Sequence, residues 1–263
     1  MDVGLFDFES AMRQRYLEID EKTDEAKELL GRRGWTWNEF LDMYDTSWIY
    51  HENGLEGVVL TYPEIKSAID NKIISDVSLL PTYKDIKNQK TCIDLIREKA
   101  ANKRFLVTFG FLEELHGLLL GDAEAAGSFR RDIPIHRTYF HEIAQPAKIQ
   151  VALNKVIDGM KVKEKEQHVI EFAANVHHRF MRVFPFSQHS GAIGRLLCNF
   201  VLVRGEYLPV IIHASDRQRY YESLRGPERD FRQFMVEAMD NSLENAIRFL
   251  AQNRGTSRRS LAQ

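Results

Sequence analysis

The sequence predicts a mostly α-helical fold with one small β-hairpin. Apolar residues recur at helical spacing along much of the chain, as in the run from Val169 to Val183. Residues 105–120, FLVTFGFLEELHGLLL, are apolar almost throughout, which is typical of a helix buried in a core. In contrast, residues 131–143 alternate between apolar and polar side chains around Pro134, which favours a short hairpin.

Composition and charge are those of an ordinary globular protein. The 263 residues are 44% hydrophobic and 28% charged, enough to bury a large core. The formal net charge of −2 gives no reason to expect nucleic acid as a partner. We also expect no membrane partner, because no run of about 18 apolar residues and no signal-peptide pattern occurs. Two cysteines, Cys92 and Cys198, indicate no disulfide framework and favour a cytoplasmic location.

The first 105 residues are predicted to form an N-terminal helical region. Residues 1–45 are polar, with a sparse apolar stripe at helical spacing. Residues 79–103 continue as a helix after a turn at Pro81, with a solvated charged face. Between them lies the stretch TSWIYHENGLEGVVLTYPEIKSAID, whose acidic residues include Glu52 and Glu56. From these residues alone, solvated acids at a helix end and a functional pair remain equally open.

Residues 106–253 are predicted to form the main domain, and residues 254–263 a disordered tail. The domain contains helical patterns at 105–120, 146–160, 169–183 and 231–250, and a short extended segment at 209–212. The final ten residues, RGTSRRSLAQ, show no regular spacing of apolar side chains. The domain boundary at residue 105 is therefore an expectation from pattern alone.

The stretch VFPFSQHSGAIGRLLCNFVLV, residues 183–203, indicates a tight turn that runs into a buried helix. Pro185 ends the preceding helix, Ser190 is expected to cap the next one, and Gly191 allows the backbone to approach a ligand closely. A helix N-terminus binds anions because it presents free N–H groups and partial positive charge. Arg195 lies one turn further and can reach the same anion. The residues thus predict a phosphate site, with a simple helix cap as the alternative.

Residues 177–209 resemble the signature region of the Fic (Fido) family. The family pattern is His-Pro-Phe, an acidic residue, Gly-Asn-Gly-Arg, and a second Arg three positions later. Pro185, Phe186, Gly191 and Arg195 keep their places in that pattern. Flanking positions also match, namely His177, Phe180, Leu196, Leu197, Asn199 and the segment GEYLPVII. The resemblance implies the helical Fido fold with a hairpin flap.

Several positions depart from the family pattern. Phe184 stands where the family has its catalytic His, and Gln188 where it has a metal-holding acid. His189 and Ser190 replace Gly-Asn, and Ala192 replaces the first Arg. A phenyl ring cannot accept a proton, and loss of a general base costs on the order of 10²–10⁴ in rate. A neutral amide also lacks the charge that Mg²⁺ prefers. The usual transfer of AMP from ATP to a protein hydroxyl is therefore expected to be lost or altered.

The resemblance also assigns provisional roles to individual residues. It implies ATP with Mg²⁺ as the ligand of the loop, bound by Gln188, Ser190, Gly191 and Arg195, with no metal ligand assigned among them. It implies an inhibitory helix near 47–70, whose glutamate pairs with Arg195 and blocks the γ-phosphate. Glu56 and Glu52 are the two candidates for that glutamate. It further implies that a target peptide binds the flap at Ile135, His136, Arg137 and Thr138.

Three functional interpretations follow from these residues. The first is a pseudo-enzyme that binds a nucleotide, a flap peptide or a partner protein without the usual chemistry. The second is an active nucleotidyl or phosphoryl transferase in which His189 replaces the missing base. The third is an oligomeric interaction module that binds no nucleotide.

Overall fold

The computed structural model of the chain describes residues 3–32, 37–72, 76–122, 124–134, 141–161 and 167–252. These residues form ten α-helices: α1 (Val3–Arg32), α2 (Trp37–Glu56), α3 (Tyr62–Ile69), α4 (Leu80–Ala101), α5 (Phe109–Leu120), α6 (Ile149–Lys161), α7 (Val169–Val183), α8 (Ser190–Arg204), α9 (Arg217–Arg225) and α10 (Glu228–Gln252). Short 3₁₀ turns occur at Val77–Leu79, Pro146–Lys148 and Ala214–Asp216. The prediction of a mostly helical fold is confirmed.

The predicted hairpin flap lies largely outside the described residues. Its four candidate residues, Ile135, His136, Arg137 and Thr138, are among those not described. The described residues on either side, 131–134 and 141–143, form no strand. The expected disordered tail at 254–263 is likewise outside the described part of the chain.

Local sequence explains where several helices begin and end. Thr61 and Glu64 form a reciprocal capping box at the start of α3, in which Pro63 occupies the first turn. Thr108 accepts the Phe111 N–H and caps α5, so this helix begins later than residue 105, where the apolar run starts. Gly121 ends α5 in the left-handed conformation, with φ +66°.

The two helices on either side of the 184–189 turn lie at the centre of the molecule. Helix α8 is buried from Ser190 through Leu202, and it packs against both α7 and α4. Helix α10 covers α7, and α1 lies along α10, where Lys22 pairs with Asp240 and Glu244 at 2.5 and 2.8 Å. One continuous hydrophobic core therefore extends from α1 to α10.

Among the described helices, none combines the length and apolar character needed to cross a bilayer. Both cysteines are buried free thiols. Burial raises the pKa of the Cys92 thiol to about 12, so it stays protonated near neutral pH.

Candidate functional site

The turn between α7 and α8 is held by a buried arginine from a distant segment. Phe184 ends α7 with φ +45°, a conformation that a non-glycine residue adopts only where its surroundings fix it. Arg130 Nε donates to the Phe184 carbonyl at 2.7 Å, and the Arg130 backbone N–H donates to the Pro185 carbonyl at 2.9 Å. Arg130 Nη2 reaches the Val183 carbonyl at 3.2 Å. The segment 127–130 thus fixes the shape of the turn.

The expectation that Ser190 caps α8 is wrong. The N-cap residue is His189, in the left-handed conformation with φ +59°, and its side chain makes no capping bond. Ser190 is the first helical residue, and its Oγ accepts the Phe186 N–H and donates to the Phe186 carbonyl, both at 2.8 Å. Its hydroxyl therefore closes the preceding turn. The start of α8 is left without a side-chain cap, as an anion-binding helix N-terminus requires.

Arg195 reaches back to the start of α8 and binds both candidate glutamates. Its Nε lies 2.8 and 3.0 Å from the two Glu52 carboxylate oxygens. Its Nη2 lies 2.5 Å from Glu52 Oε1 and 2.5 Å from Glu56 Oε1. The Arg195 side chain is 4% exposed, compared with 12% for Glu52 and 37% for Glu56. Both carboxylates of the last two turns of α2 therefore lie on one buried guanidinium.

The Glu56 carboxylate also lies against the backbone of Gly191. A Cβ added at Gly191 would be 2.9 Å from Glu56 Oε1 and 3.1 Å from Arg195 Nη1. The absence of a side chain at this residue is therefore what admits an anionic oxygen so close to the helix start. An oxygen in this position faces both the helix N-terminus and the guanidinium, the environment that phosphate oxygens occupy in anion sites.

Tyr220 supports Arg195 from the side opposite the glutamates. Its hydroxyl accepts from Arg195 Nη1 at 3.2 Å and makes a hydrogen bond with His177 Nε2 at 2.9 Å. Complete burial lowers the pKa of His177 to about 3, so the ring is neutral and can accept. Burial raises the pKa of Tyr220, which keeps its proton. The chain Arg195–Tyr220–His177 thus orients the guanidinium independently of the glutamates.

Burial and paired charges act in opposite directions on Arg195. Burial lowers its pKa, but Glu52, Tyr220 and Glu56 outweigh that effect and raise the pKa well above its ordinary value. The guanidinium is therefore charged at any pH at which the protein folds, and it requires an anionic partner.

The remaining predicted loop residues line one cleft of about 330 Å³ beside this cluster. The cleft is bounded by the end of α2, the start of α4 and the turn, with Gln188, His189, Gly191, Ala192, Phe184, Asp85, Glu52 and Glu56 among its lining residues. Partial burial lowers the pKa of His189, against the opposing effect of Glu56, Asp85 and Glu52. Its ring is therefore neutral near pH 7 and able to accept a proton.

The donors of this cleft do not fit a Mg²⁺ ion held by the protein alone. Gln188 is exposed and offers only a neutral amide oxygen, without the negative charge that Mg²⁺ prefers. Within the described ranges, no group of three His, Cys, Asp or Glu side chains is arranged to hold a metal ion. No step is therefore assigned to a protein-bound metal.

The structure brings Glu52, Glu56 and Arg195 together, but in a combination that the sequence did not predict. From the sequence, Glu52 and Glu56 were competing candidates, although their spacing of four residues puts both on one helix face. His177 was only a flanking match, and Tyr220 was not found as the partner of Arg195. No local pattern could have paired Tyr220 with Arg195, which lies 25 residues earlier.

The chain is similar to known proteins in sequence and in fold. Residues 107–202 match a model of the Fic/DOC family. The chain is 27% identical over 205 residues to the protein adenylyltransferase Fic of Culex quinquefasciatus, a match that covers 74% of this chain and 40% of that protein. The corresponding protein of Nematostella vectensis is 27% identical over 203 residues, which cover 74% and 47%. The chain thus spans less than half the length of these relatives.

Two solved structures show the same fold. A Fic domain containing signaling protein from Bacteroides thetaiotaomicron superposes with a TM-score of 0.76 at 23% identity, covering 89% of this chain and 98% of that chain. Fic-1 from C. elegans superposes with a TM-score of 0.75 at 21% identity, covering 92% and 74%.

Proposed function

The chain belongs to the Fic/DOC family, and we propose that it binds the phosphates of a nucleotide at the start of α8, in a site that Glu52 and Glu56 keep closed. The protein is a Fic-type transferase by ancestry. Relatives at 27% identity are named protein adenylyltransferases, which makes ATP the first nucleotide to test.

One observation supports this proposal most: two carboxylates of α2 lie on Arg195 and against Gly191. A guanidinium and an uncapped helix N-terminus bind phosphate oxygens by the same charge-assisted hydrogen bonds that they make with carboxylates. Phosphate and carboxylate therefore compete for one position. Arg195, Gly191 and the backbone of Ser190 are the proposed phosphate ligands, and both Gly191 and Gln188 line the cleft beside Arg195.

The ordinary AMP transfer is proposed to be lost. The position of the family's general base holds Phe184, whose ring is 2% exposed and has no proton-accepting atom. Ala192 offers no charge where the family has its first Arg, which removes stabilisation of a phosphoryl transition state. We therefore favour a regulated binding protein, with a target or partner protein at residues 135–138 and a cytoplasmic setting as parts of the same proposal.

An altered transferase is the second candidate, and one observation favours it. His189 lines the same cleft as the two glutamates and has a lowered pKa, so its ring can accept a proton at neutral pH. In this candidate His189 takes the proton of a target hydroxyl, whose oxygen bonds to the α-phosphorus of ATP as the bond from that phosphorus to the α,β-bridging oxygen breaks and pyrophosphate leaves.

Calorimetric titration with ATP, with and without Mg²⁺, tests the binding proposal. The wild type should bind weakly, and the variant with Glu52→Ala and Glu56→Ala should bind at least about tenfold more tightly, because Arg195 is then free to bind phosphate. Glu56→Gly alone should give a smaller gain, since Glu52 still holds Nε. Glu98→Ala is the matched control, a glutamate that is 70% exposed on α4 and distant from the site in the fold. Equal affinity for ATP in the wild type and all three variants would contradict the proposal.

Incubation with ATP labelled on its α-phosphate separates the two candidates. The binding-protein proposal predicts no labelled protein, either in the wild type or in the double alanine variant. Labelling that disappears in His189→Ala would instead establish the altered transferase. Labelling that persists in His189→Ala would exclude His189 as the base.

A further inference from the structure

A second cavity, larger than the cleft at Arg195, lies on the other face of α2. It has a volume of about 500 Å³ and lies between α2, the start of α3, the end of α10 and the 211–213 segment. None of its lining residues also lines the cleft of about 330 Å³ beside Arg195, and it shares only Ile211 with the small pocket that Arg195 itself lines. Its volume falls in the range of small-molecule sites, about 300–1,000 Å³.

The described walls of this cavity present mainly carbon surface. Aromatic and aliphatic side chains contribute most of it, including Phe40, Tyr44, Ile211 and Phe249. The polar atoms deep in the walls are already bonded within the protein. The Tyr44 hydroxyl donates to the Pro209 carbonyl at 2.6 Å, and Ser242 Oγ donates to the Ala238 carbonyl at 2.8 Å. Burial of a ligand's apolar groups here therefore favours binding. A polar group of the ligand would lose its hydrogen bonds to water without replacement.

The mouth of the cavity has the opposite character. Lys66 is the charged residue among the described lining side chains, and it is 42% exposed. Its ammonium lies 2.7 Å from the Asp70 carboxylate. Because this ion pair is exposed and weak, another anion can replace Asp70 as the partner of Lys66. Asn245 also lines the mouth, and its amide lies 3.4 Å from His213 Nε2. Positive charge and an amide donor at the rim complement a single anionic group.

We propose that this cavity binds a small amphiphile with an apolar body and one carboxylate, such as a long-chain fatty acid. The body lies against Phe40, Tyr44 and Phe249, and the carboxylate contacts Lys66 at the mouth. The proposal is independent of nucleotide binding, since neither Arg195 nor any residue of the 184–191 turn lines this cavity.

Fluorescence titration of the full chain with dansylaminoundecanoic acid, followed by displacement with palmitate or hexadecanol, tests the proposal. The wild type should bind the probe saturably at one site, and palmitate should displace it more effectively than the neutral alcohol. Ala246→Trp, which fills the cavity, should weaken binding at least about tenfold. Met43→Trp at the mouth, where the native side chain is 37% exposed, provides a second filling variant if the first does not fold.

The charge at the mouth has its own matched pair of variants. Lys66→Gln should abolish the preference for palmitate over hexadecanol. Lys72→Gln should leave that preference unchanged, because Lys72 lies 4.0 Å from the same Asp70 but does not line the cavity.

Three results would overturn the proposal. The first is absence of saturable probe binding in the wild type, and the second is unchanged binding in the folded filling variants. The third is a gain of at least about tenfold on deletion of residues 253–263, which would identify the chain's own end as the occupant. Retention of the palmitate preference in Lys66→Gln would exclude the carboxylate contact.

Discussion

At the scale of single residues, the site depends on one buried positive charge. Arg195 is 4% exposed and binds Glu52 through both Nε and Nη2. A charge removed from water is tolerated only when it is paired, and removal of one partner leaves the other uncompensated. The glutamates therefore have two consequences in this protein: they keep Arg195 in the folded core, and they occupy the position that a phosphate would take.

Arg195→Gln should lower the free energy of unfolding by about 3 kcal/mol at pH 7, because the Glu52 carboxylate is then buried without its partner. Urea denaturation followed by circular dichroism measures the change. Arg179→Gln is the control, since its pair with Glu228 is about half exposed and should contribute less than about 1 kcal/mol. Equal losses in the two variants would contradict the energetic distinction.

At the scale of elements, the end of α2 is positioned by the 213–217 segment. Gly54 faces Ala214 so closely that an added Cβ would be 2.5 Å from the Ala214 Cβ. Arg217 Nε donates to the Leu55 carbonyl at 2.8 Å. The His51 and His213 rings stack with centroids 4.3 Å apart. These contacts fix the last turns of α2, and with them the carboxylates of Glu52 and Glu56.

Gly54→Ala should displace the end of α2, lower the free energy of unfolding by about 1–3 kcal/mol and raise the affinity for ATP. Ala214→Gly in the same protein should reverse most of both effects, because it removes the atom that the new methyl group meets. Gly159→Ala in α6 is the matched control, with no heavy atom within 4 Å of the added Cβ. It should be neutral or stabilising by up to about 1 kcal/mol. Failure of the Ala214→Gly rescue would show that the contact does not position α2.

The sequence was sufficient to predict the helices and the turn before α8. It was not sufficient to predict the contacts between these elements. Pro185 and Gly191 indicate a turn followed by a helix, so both elements were predictable from residues 183–203, whereas the bonds from Arg130 that hold the turn were not. Ser190 was misassigned because a serine before a helix can bond either its own helix or the preceding turn. In the structure, where Phe184 and His189 have left-handed backbone, the Ser190 hydroxyl bonds the preceding turn. Both glutamates reach Arg195 because Ala214 and Arg217, about 160 residues away, position the end of α2, and no local pattern encodes those contacts.

At the scale of the whole molecule, stability depends on pH because several buried histidine rings are neutral in the folded protein. Burial lowers the pKa of His177 to about 3 and the pKa of His116 to about 4. Burial, with a smaller effect of His213, lowers the pKa of His51 to about 4. The unfolded chain binds protons on these rings at the ordinary histidine pKa of about 6.5. Their contribution to stability is therefore complete above pH 6.5 and is lost as the pH falls toward 4.

The melting temperature should accordingly be flat between pH 8 and 7 and should fall between pH 6.5 and 5, before most carboxylates titrate. Each proton taken up on unfolding lowers stability by about 1.4 kcal/mol per pH unit in the limit. Calorimetric unfolding at pH 5.5 in two buffers of different ionisation enthalpy measures that proton uptake directly. Proton uptake near zero at pH 5.5 would contradict the burial of these rings.

The central claim is that carboxylate and phosphate compete for one position at Arg195, and a crystal structure of the double variant Glu52→Ala, Glu56→Ala with ATP tests it most directly. We predict a phosphate oxygen within hydrogen-bond distance of Arg195 Nη2 and beside Gly191, where the Glu56 carboxylate lies in the native chain. A nucleotide bound elsewhere, with Arg195 paired to another side chain of the protein, would contradict the claim.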